Sequence, residues 1–131
     1  EHKKVYKKKI IEMEIKKTGQ LFSFCCATPL LIKKKSSKEI KIFENIGLEI
    51  GLLFQIADDL IDYTGKSFVV GKKTKKDEKQ GKATLISLLG YRNAIKYSKN
   101  LIKRFNKRVS KYGSKSNDLI DTLEYILNRN K

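Results

Sequence analysis

Apolar residues recur along most of the chain at intervals of three and four, whereas the strict alternation typical of strands is nearly absent. This pattern predicts amphipathic helices over residues 4–16 and 91–111, a short helix over 83–89, and a last helix that ends near Leu127. Pro29 is expected near a helix end or kink, because proline lacks a backbone N–H. The chain is therefore predicted to be an all-α helical bundle, with short connections that favour antiparallel packing.

The longest apolar segment, residues 40–63, predicts a helix at the centre of the bundle. Its apolar residues between 46 and 61 point in nearly every direction around the helix axis. Ser36 or Ser37 is positioned to cap this helix, because a serine oxygen accepts a hydrogen bond from a free backbone N–H. Residues 64–82 contain several glycines and no helical period, which predicts an ordered loop.

Three aspartates, Asp58, Asp59 and Asp62, interrupt this apolar helix. A carboxylate that is buried without a partner is costly, so three of them require a compensating cation. Their spacings of three and four residues place the side chains on neighbouring parts of one helix face. Oxygen ligands without histidine or thiolate suit Mg²⁺, which commonly bridges carboxylates to substrate phosphates. The alternative is that the acids lie on a solvated edge or pair with the abundant lysines.

A lysine-rich segment follows the aspartates, and its glycines allow it to fold back over the helix end. It includes Lys72, Asp77 and Lys82. An acidic, metal-binding face opposed by ammonium groups is what a diphosphate requires, with Mg²⁺ for some oxygens and lysine for the rest. Simple solvation remains the alternative for the other lysines of the segment, which are Lys73, Lys75, Lys76 and Lys79.

The formal net charge of +16 fits a nucleic-acid or membrane partner, but lysine supplies most of it and no nucleic-acid motif accompanies it. We expect no nucleic-acid partner. His2 is the only histidine, which excludes histidine-based general bases, triads and zinc sites. The adjacent Cys25 and Cys26 are expected to be reduced core residues. Because the chain has neither a signal-peptide pattern nor a long unbroken apolar run, we expect a cytoplasmic protein without a membrane span.

Two neighbouring stretches, GLLFQIADDLIDYTG and GKKTKKDEKQGKATLISLLG, resemble the second aspartate-rich region of the trans-prenyltransferases. This is the polyprenyl synthetase family, which includes the farnesyl and geranylgeranyl diphosphate synthases. The upstream KKTGQLF is similar to the family's Lys-Thr-Gly motif, and the ending ILNRNK is similar to the C-terminus of bacterial short-chain members. The similarity spans nearly the whole chain in the family's order and spacing, which makes it far more specific than an isolated D-D-x-x-D.

The resemblance assigns roles to individual residues. The implied Mg²⁺ ligands are Asp58, Asp59 and Asp62, with Asp77 as a further candidate. The side chains implied to bind the allylic diphosphate are Lys17, Thr18, Gln55, Lys72 and Lys82. Those implied to act in catalysis are Lys17, Thr18, Asp58 and Lys82, with the Thr18 hydroxyl facing the developing allylic cation.

The implied reaction is a head-to-tail condensation of isopentenyl diphosphate with an allylic diphosphate, which gives a short-chain polyprenyl diphosphate. Mg²⁺ and lysines would stabilise charge on the departing diphosphate. Residues 1–131 would form the C-terminal half of the isoprenoid synthase fold, since the family's first aspartate-rich motif is absent. We therefore expect a chain that is inactive alone and whose central helix is partly uncovered. The complete enzyme is expected to be a homodimer.

Three other functions are compatible with parts of the sequence. A non-catalytic, prenyltransferase-like subunit would bind a complete synthase, although such a module has no need of acids at positions 58, 59 and 62. Class I terpene cyclases share the implied fold, but their usual second metal motif differs from F-Q-x-x-D-D. A basic nucleic-acid binder would show binding that weakens as salt is added.

Overall fold

The computed structural model describes residues 2–69 and 84–129, and every regular element within these ranges is helical. In chain order the elements are α1 (His2–Glu14), a π-helical turn (Ile15–Gly19), α2 (Gln20–Ile32), α3 (Ser37–Val69), α4 (Leu85–Leu89), α5 (Tyr91–Val109), a 3₁₀ segment (Ser110–Ser116) and α6 (Asn117–Asn128). The all-α prediction is confirmed. None of these described helices combines the length and the apolar character that a membrane crossing requires.

A capping box defines the start of α3. The Ser36 hydroxyl accepts a hydrogen bond from the Glu39 N–H at 3.3 Å, and the Glu39 carboxylate accepts one from the Ser36 N–H at 3.2 Å. The prediction that a serine caps this helix is confirmed. Hydrogen bonds from the Ser36 hydroxyl and then its N–H lower the pKa of Glu39. The cap therefore stabilises the helix above the ordinary pKa of a glutamate, and this contribution is lost as the pH falls through the lowered pKa.

The end of α3 differs from the sequence prediction, which assigned residues 64–82 to a loop. The helix continues to Val69. The Thr64 hydroxyl lies within hydrogen-bond distance of two carbonyls one turn earlier, those of Leu60 at 3.1 Å and Ile61 at 2.9 Å. Its side chain is therefore hydrogen-bonded within the helix. The prediction was wrong for residues 64–69 because threonine and glycine lower helix propensity without preventing a helix. Residues 70–83 lie outside the described ranges.

The hydrophobic core is centred on α3, as its all-round apolar pattern predicts. The buried apolar side chains of this helix are Ile46, Ile50, Leu52, Leu53, Ile56, Ala57 and Leu60. The same core includes side chains from α4, α5 and α6, namely Leu85, Ala94, Leu101, Ile102, Phe105, Leu123 and Leu127. The aspartates at positions 58–62 therefore lie where the buried part of α3 ends.

Exposed apolar side chains are concentrated on α1 and α2. Val5, Tyr6 and Met13 of α1 are exposed, whereas Ile10 is buried. The exposed apolar residues of α2 are Leu21, Phe24, Leu31 and Ile32. The central helix α3 is contacted by α2, α5 and α6, and some of its apolar residues, such as Leu48 and Phe54, are only partly buried.

The two adjacent cysteines of α2 have different surroundings. Both thiols are free, as expected, and Cys26 packs half-buried against the core. Cys25 is exposed, so the prediction of a core position is wrong for this residue. Successive residues on a helix point about 100° apart, so only one of the two can face α3. Burial raises the pKa of the Cys26 thiol, with a smaller contribution from neighbouring Cys25.

We expect iodoacetamide to alkylate Cys25 faster than Cys26 near pH 8. The thiolate is the reactive form, and burial both shields Cys26 and lowers its thiolate fraction. The single-thiol variants Cys26→Ser and Cys25→Ser would be compared by mass spectrometry, folded and in urea. Equal rates in the folded chains would contradict the difference in burial.

Helices α2 and α3 cross with their backbones in contact, and three glycines make this possible. A Cβ atom added at Gly47 would lie 2.4 Å from the carbonyl oxygen of Phe22. One added at Gly51 would lie 2.5 Å from the Cα of Gly19. Because Gly19 ends the π-helical turn, the crossing holds that turn directly against the central helix.

Gly51→Ala is expected to destabilise the fold by about 3 kcal/mol, because the added methyl group has to separate two backbones. Gly65→Ala is the matched control in the same helix, since its Cβ would meet nothing within 4 Å. Alanine at position 65 should be neutral or stabilising by up to about 1 kcal/mol. Urea unfolding followed by circular dichroism measures both variants. Equal midpoints would show that the two helices are not in contact at Gly51.

Candidate functional site

The π-helical turn, Ile15–Gly19, joins α1 to α2 and carries the Lys-Thr-Gly motif. It closes with a hydrogen bond from the Gln20 N–H to the Ile15 carbonyl, five residues back rather than four. The buried positions of the two helices are Ile10, Glu14, Gly19, Ser23 and Ala27. Their spacing is four residues except across the turn, where it is five. The π-helical turn accommodates this extra residue, so the buried positions of the two helices stay in one continuous stripe.

This turn places Thr18 beside the middle of α3. The Thr18 hydroxyl donates to Gln55 Oε1 at 3.1 Å, and Gln55 Nε2 donates to Asp59 Oδ1 at 3.4 Å. Gln55 is only 6% exposed, so both ends of its amide are hydrogen-bonded inside the protein. Three predicted site residues thus form one connected set, although 37 positions separate Thr18 from Gln55.

The three aspartates change from half-buried to exposed along α3. Asp58 and Asp59 are half-buried, and Asp62 is exposed. Asp58 and Asp62 lie one helical turn apart, so their carboxylates emerge on the same side of the helix. Within residues 2–69 and 84–129, no three acidic, histidine or cysteine side chains converge as a complete metal site.

The donor set nevertheless fits Mg²⁺. This ion keeps several waters and takes only one or two protein carboxylates together with substrate phosphates. Asp58 and Asp62 could provide such a pair of oxygen ligands, and the Asp58 side chain is 44% exposed. Lys17, next to Thr18 on the π-helical turn, is exposed and available to an anionic ligand.

Arg129, which the sequence reasoning missed, contacts the first aspartate. Its Nη2 forms an ion pair with Asp58 Oδ1, and its Cζ lies 4.5 Å from the centroid of the Phe54 ring. Phe54 and Asp58 are one turn apart on α3, so one guanidinium covers both. The available signal was a single arginine directly after the amphipathic last helix.

Two cavities formed by the described residues lie away from these side chains. One lies between α3, α5 and α6 and is lined by Glu49, Phe105 and Leu123 among others. The other is an open groove along α5 that includes Tyr97 and Arg104. Neither cavity is lined by a predicted site residue, so the site consists of side chains at the acidic end of α3 rather than of these cavities.

The family follows from similarity to known proteins. A family model described as Polyprenyl synthetase matches residues 1–123. The chain belongs to the polyprenyl synthetase family. This confirms the resemblance drawn from the aspartate-rich and Lys-Thr-Gly motifs.

Three curated relatives of this polyprenyl synthetase chain illustrate the similarity. The geranylgeranyl diphosphate synthase of Cyanophora paradoxa is 31% identical over 118 residues, which cover 90% of this chain and 39% of that protein. The farnesyl diphosphate synthase of Micrococcus luteus is 32% identical over 137 residues, which cover 100% of this chain and 45% of that protein. The heterodimeric geranylgeranyl pyrophosphate synthase large subunit 2 of Arabidopsis thaliana is 32% identical over 120 residues, which cover 91% of this chain and 32% of that protein. The chain thus spans less than half the length of these relatives, and no solved structure matches it.

The predicted site residues fall into three groups. Those joined by hydrogen bonds are Thr18, Gln55 and Asp59. Those at or near the surface beside them are Lys17, Asp58 and Asp62. Those outside the described residues are Lys72, Asp77 and Lys82, whose roles stay predictions.

The hydrogen bond between Thr18 and Gln55 is expected to couple the π-helical turn to α3 by about 1 kcal/mol. A double-mutant cycle with Thr18→Val and Gln55→Leu isolates this coupling in the free energy of unfolding. Thr28→Val serves as the comparison, because the exposed Thr28 hydroxyl bonds the Phe24 carbonyl of its own helix. If Thr18 showed no more coupling to Gln55 than Thr28 does, the contact would be refuted.

Proposed function

We propose that this chain is part of a Mg²⁺-dependent prenyltransferase that condenses isopentenyl diphosphate with an allylic diphosphate, head to tail. One observation carries the proposal. The hydrogen bonds that join Thr18, Gln55 and Asp59 bring the Lys-Thr-Gly motif beside the second aspartate motif. The relatives named as farnesyl and geranylgeranyl diphosphate synthases support it. The product would be a short-chain polyprenyl diphosphate.

The aspartates would hold the metal. Asp58 and Asp62 would supply the accessible carboxylates, and Asp59 would complete the motif. When bound, Mg²⁺ neutralises charge on the diphosphate and so favours its departure. Asp59 accepts a hydrogen bond from Gln55, which restricts rotation of its carboxylate and fixes it on the helix face.

Lys17 and Thr18 would act on the two sides of the allylic carbon–oxygen bond that breaks. The exposed Lys17 ammonium would bind a diphosphate oxygen as a point charge. The Thr18 hydroxyl donates a hydrogen bond to Gln55, so the lone pairs of its oxygen point away from Gln55. They can face a carbon that becomes positively charged. Gln55 thereby orients two polar groups at once, the Thr18 hydroxyl and the Asp59 carboxylate.

The remaining assignments rest on the family resemblance. Lys72 and Lys82 would hold further diphosphate oxygens, and Asp77 would be an additional metal ligand. Residues 1–131 would form the C-terminal half of one all-α domain, with the first aspartate-rich motif supplied by another part of the complete protein. A homodimeric assembly and a cytoplasmic location are proposals of the same kind. One relative is named as the large subunit of a heterodimeric synthase, so the assembly has to be measured on the complete protein.

In a complete enzyme that carries this chain, Asp58→Ala is expected to lower turnover about a hundredfold, which is the scale of losing one preorganised charge. Lys82→Ala should have a similar effect. Asp121→Ala, which removes an exposed carboxylate on α6, is the matched control and should leave the rate unchanged. Steady-state assays with labelled isopentenyl diphosphate measure all three. An unchanged rate in Asp58→Ala would contradict the metal assignment.

A further inference from the structure

Arg129 occupies the carboxylate that the proposed function assigns to Mg²⁺. Its Nη2 pairs with Asp58 Oδ1, and its side chain is only 22% exposed. The guanidinium lies over the Phe54 ring, which covers it from the α3 side. The first aspartate of the motif is therefore already balanced by a positive charge from the chain itself.

A metal ion at Asp58 would place a double positive charge close to this guanidinium. If the guanidinium stayed about 5 Å from the ion in water-like surroundings, the repulsion between the two cations would lower the binding constant for the metal about tenfold. Both cations also require oxygens of one carboxylate. Even if the ion took the other oxygen, Oδ2, the guanidinium on Oδ1 would repel it.

The contact between Arg129 and Asp58 has features that allow it to open. The ion pair is made by one nitrogen, Nη2, rather than by the bidentate fork that gives arginine its strongest carboxylate pairs. The Nε of Arg129 is buried and has no hydrogen-bond partner among the described residues, which weakens the bound arrangement. Arg129 follows the last turn of α6, where the backbone is extended with ψ 133°. Its side chain can therefore leave Asp58 without unwinding the helix.

We propose that Arg129 is an internal counter-ion of Asp58 that competes with Mg²⁺, so that metal binding releases Arg129 from the surface of α3. This proposal rests on the assignment of Asp58 as a metal ligand. Without metal, Arg129 neutralises the first acid and covers Phe54. With metal, the arginine is displaced, and the affinity of the site for the ion is lowered by the chain's own cation.

The test is a titration of the full 131-residue chain with Mn²⁺, which substitutes for Mg²⁺ and is detected by electron paramagnetic resonance. Arg129→Gln removes the competing charge and should tighten Mn²⁺ binding about tenfold. Arg129→Lys keeps the charge and should remain close to wild type. Arg108→Gln is the matched control, because Arg108 forms a similar Nη2 ion pair with Glu49, elsewhere on α3. It should leave the affinity unchanged.

Two further measurements separate charge competition from a structural effect. The gain from Arg129→Gln should disappear in an Asp58→Asn background, since no carboxylate is then contested. It should also shrink in 1 M KCl, because salt screens the repulsion between the two cations. Circular dichroism of each variant shows whether the helices are retained.

The outcomes distinguish this proposal from the proposed function. If Arg129→Gln binds Mn²⁺ no more tightly than wild type, or more weakly, the counter-ion proposal is overturned while Asp58 remains a ligand. If Arg108→Gln tightens binding equally, the effect is one of overall charge and the proposal is again overturned. If neither wild type nor Arg129→Gln binds Mn²⁺, no competition exists, and the turnover of Asp58→Ala in the complete enzyme decides the proposed function separately.

Discussion

Backbone contact between α3 and the start of α2 is the constraint on which the rest of the site depends. Gly47 and Gly51 leave no room for a side chain at the crossing, so the two chains meet at the distance of their main-chain atoms. Only at this separation does a side chain as short as that of Thr18 reach Gln55. Because Gln55 also bonds Asp59, the crossing orients an acid as well as a hydroxyl. The lack of side chains at Gly47 and Gly51 thus allows the contacts of Thr18, Gln55 and Asp59 to form.

The hydrophobic core and the proposed site residues occupy different parts of α3. Most residues between Ile50 and Ala57 are buried, and exposure rises from Leu60, which is 6% exposed, to the exposed Asp62 and Tyr63. Other elements are connected to the acidic end: the π-helical turn through Thr18 and the Gln55 that bonds Asp59, and the residue after α6 through Arg129. The Tyr63 ring also stacks on Tyr91 at the start of α5, with centroids 5.3 Å apart. Polar groups from distant parts of the chain therefore meet where α3 passes from the core to the surface.

The sequence predicted the features whose signals are local. Helical periodicity, the Ser36 cap and the spacing of the aspartates are all read from neighbouring residues, and the family motifs name Thr18 and Gln55 as site residues. The pair of Arg129 with Asp58 joins residues 71 positions apart and depends on how α6 lies across α3, which no local pattern encodes. The buried face of α1 could not be predicted from its apolar pattern either, because it includes Glu14, an acid that is only 3% exposed.

The π-helical turn also determines which changes of length the first two helices tolerate. One residue fewer between Glu14 and Gly19 would give an ordinary α-helix with buried positions every four residues, whereas an α-helical turn that kept all its residues would rotate α1 by about 100° relative to α2. Ile10 would then leave the covered side, and lysines of α1 would turn toward it. The alignment of the two helices accordingly depends on the hydrogen bond from the Gln20 N–H to the Ile15 carbonyl, which accommodates the extra residue.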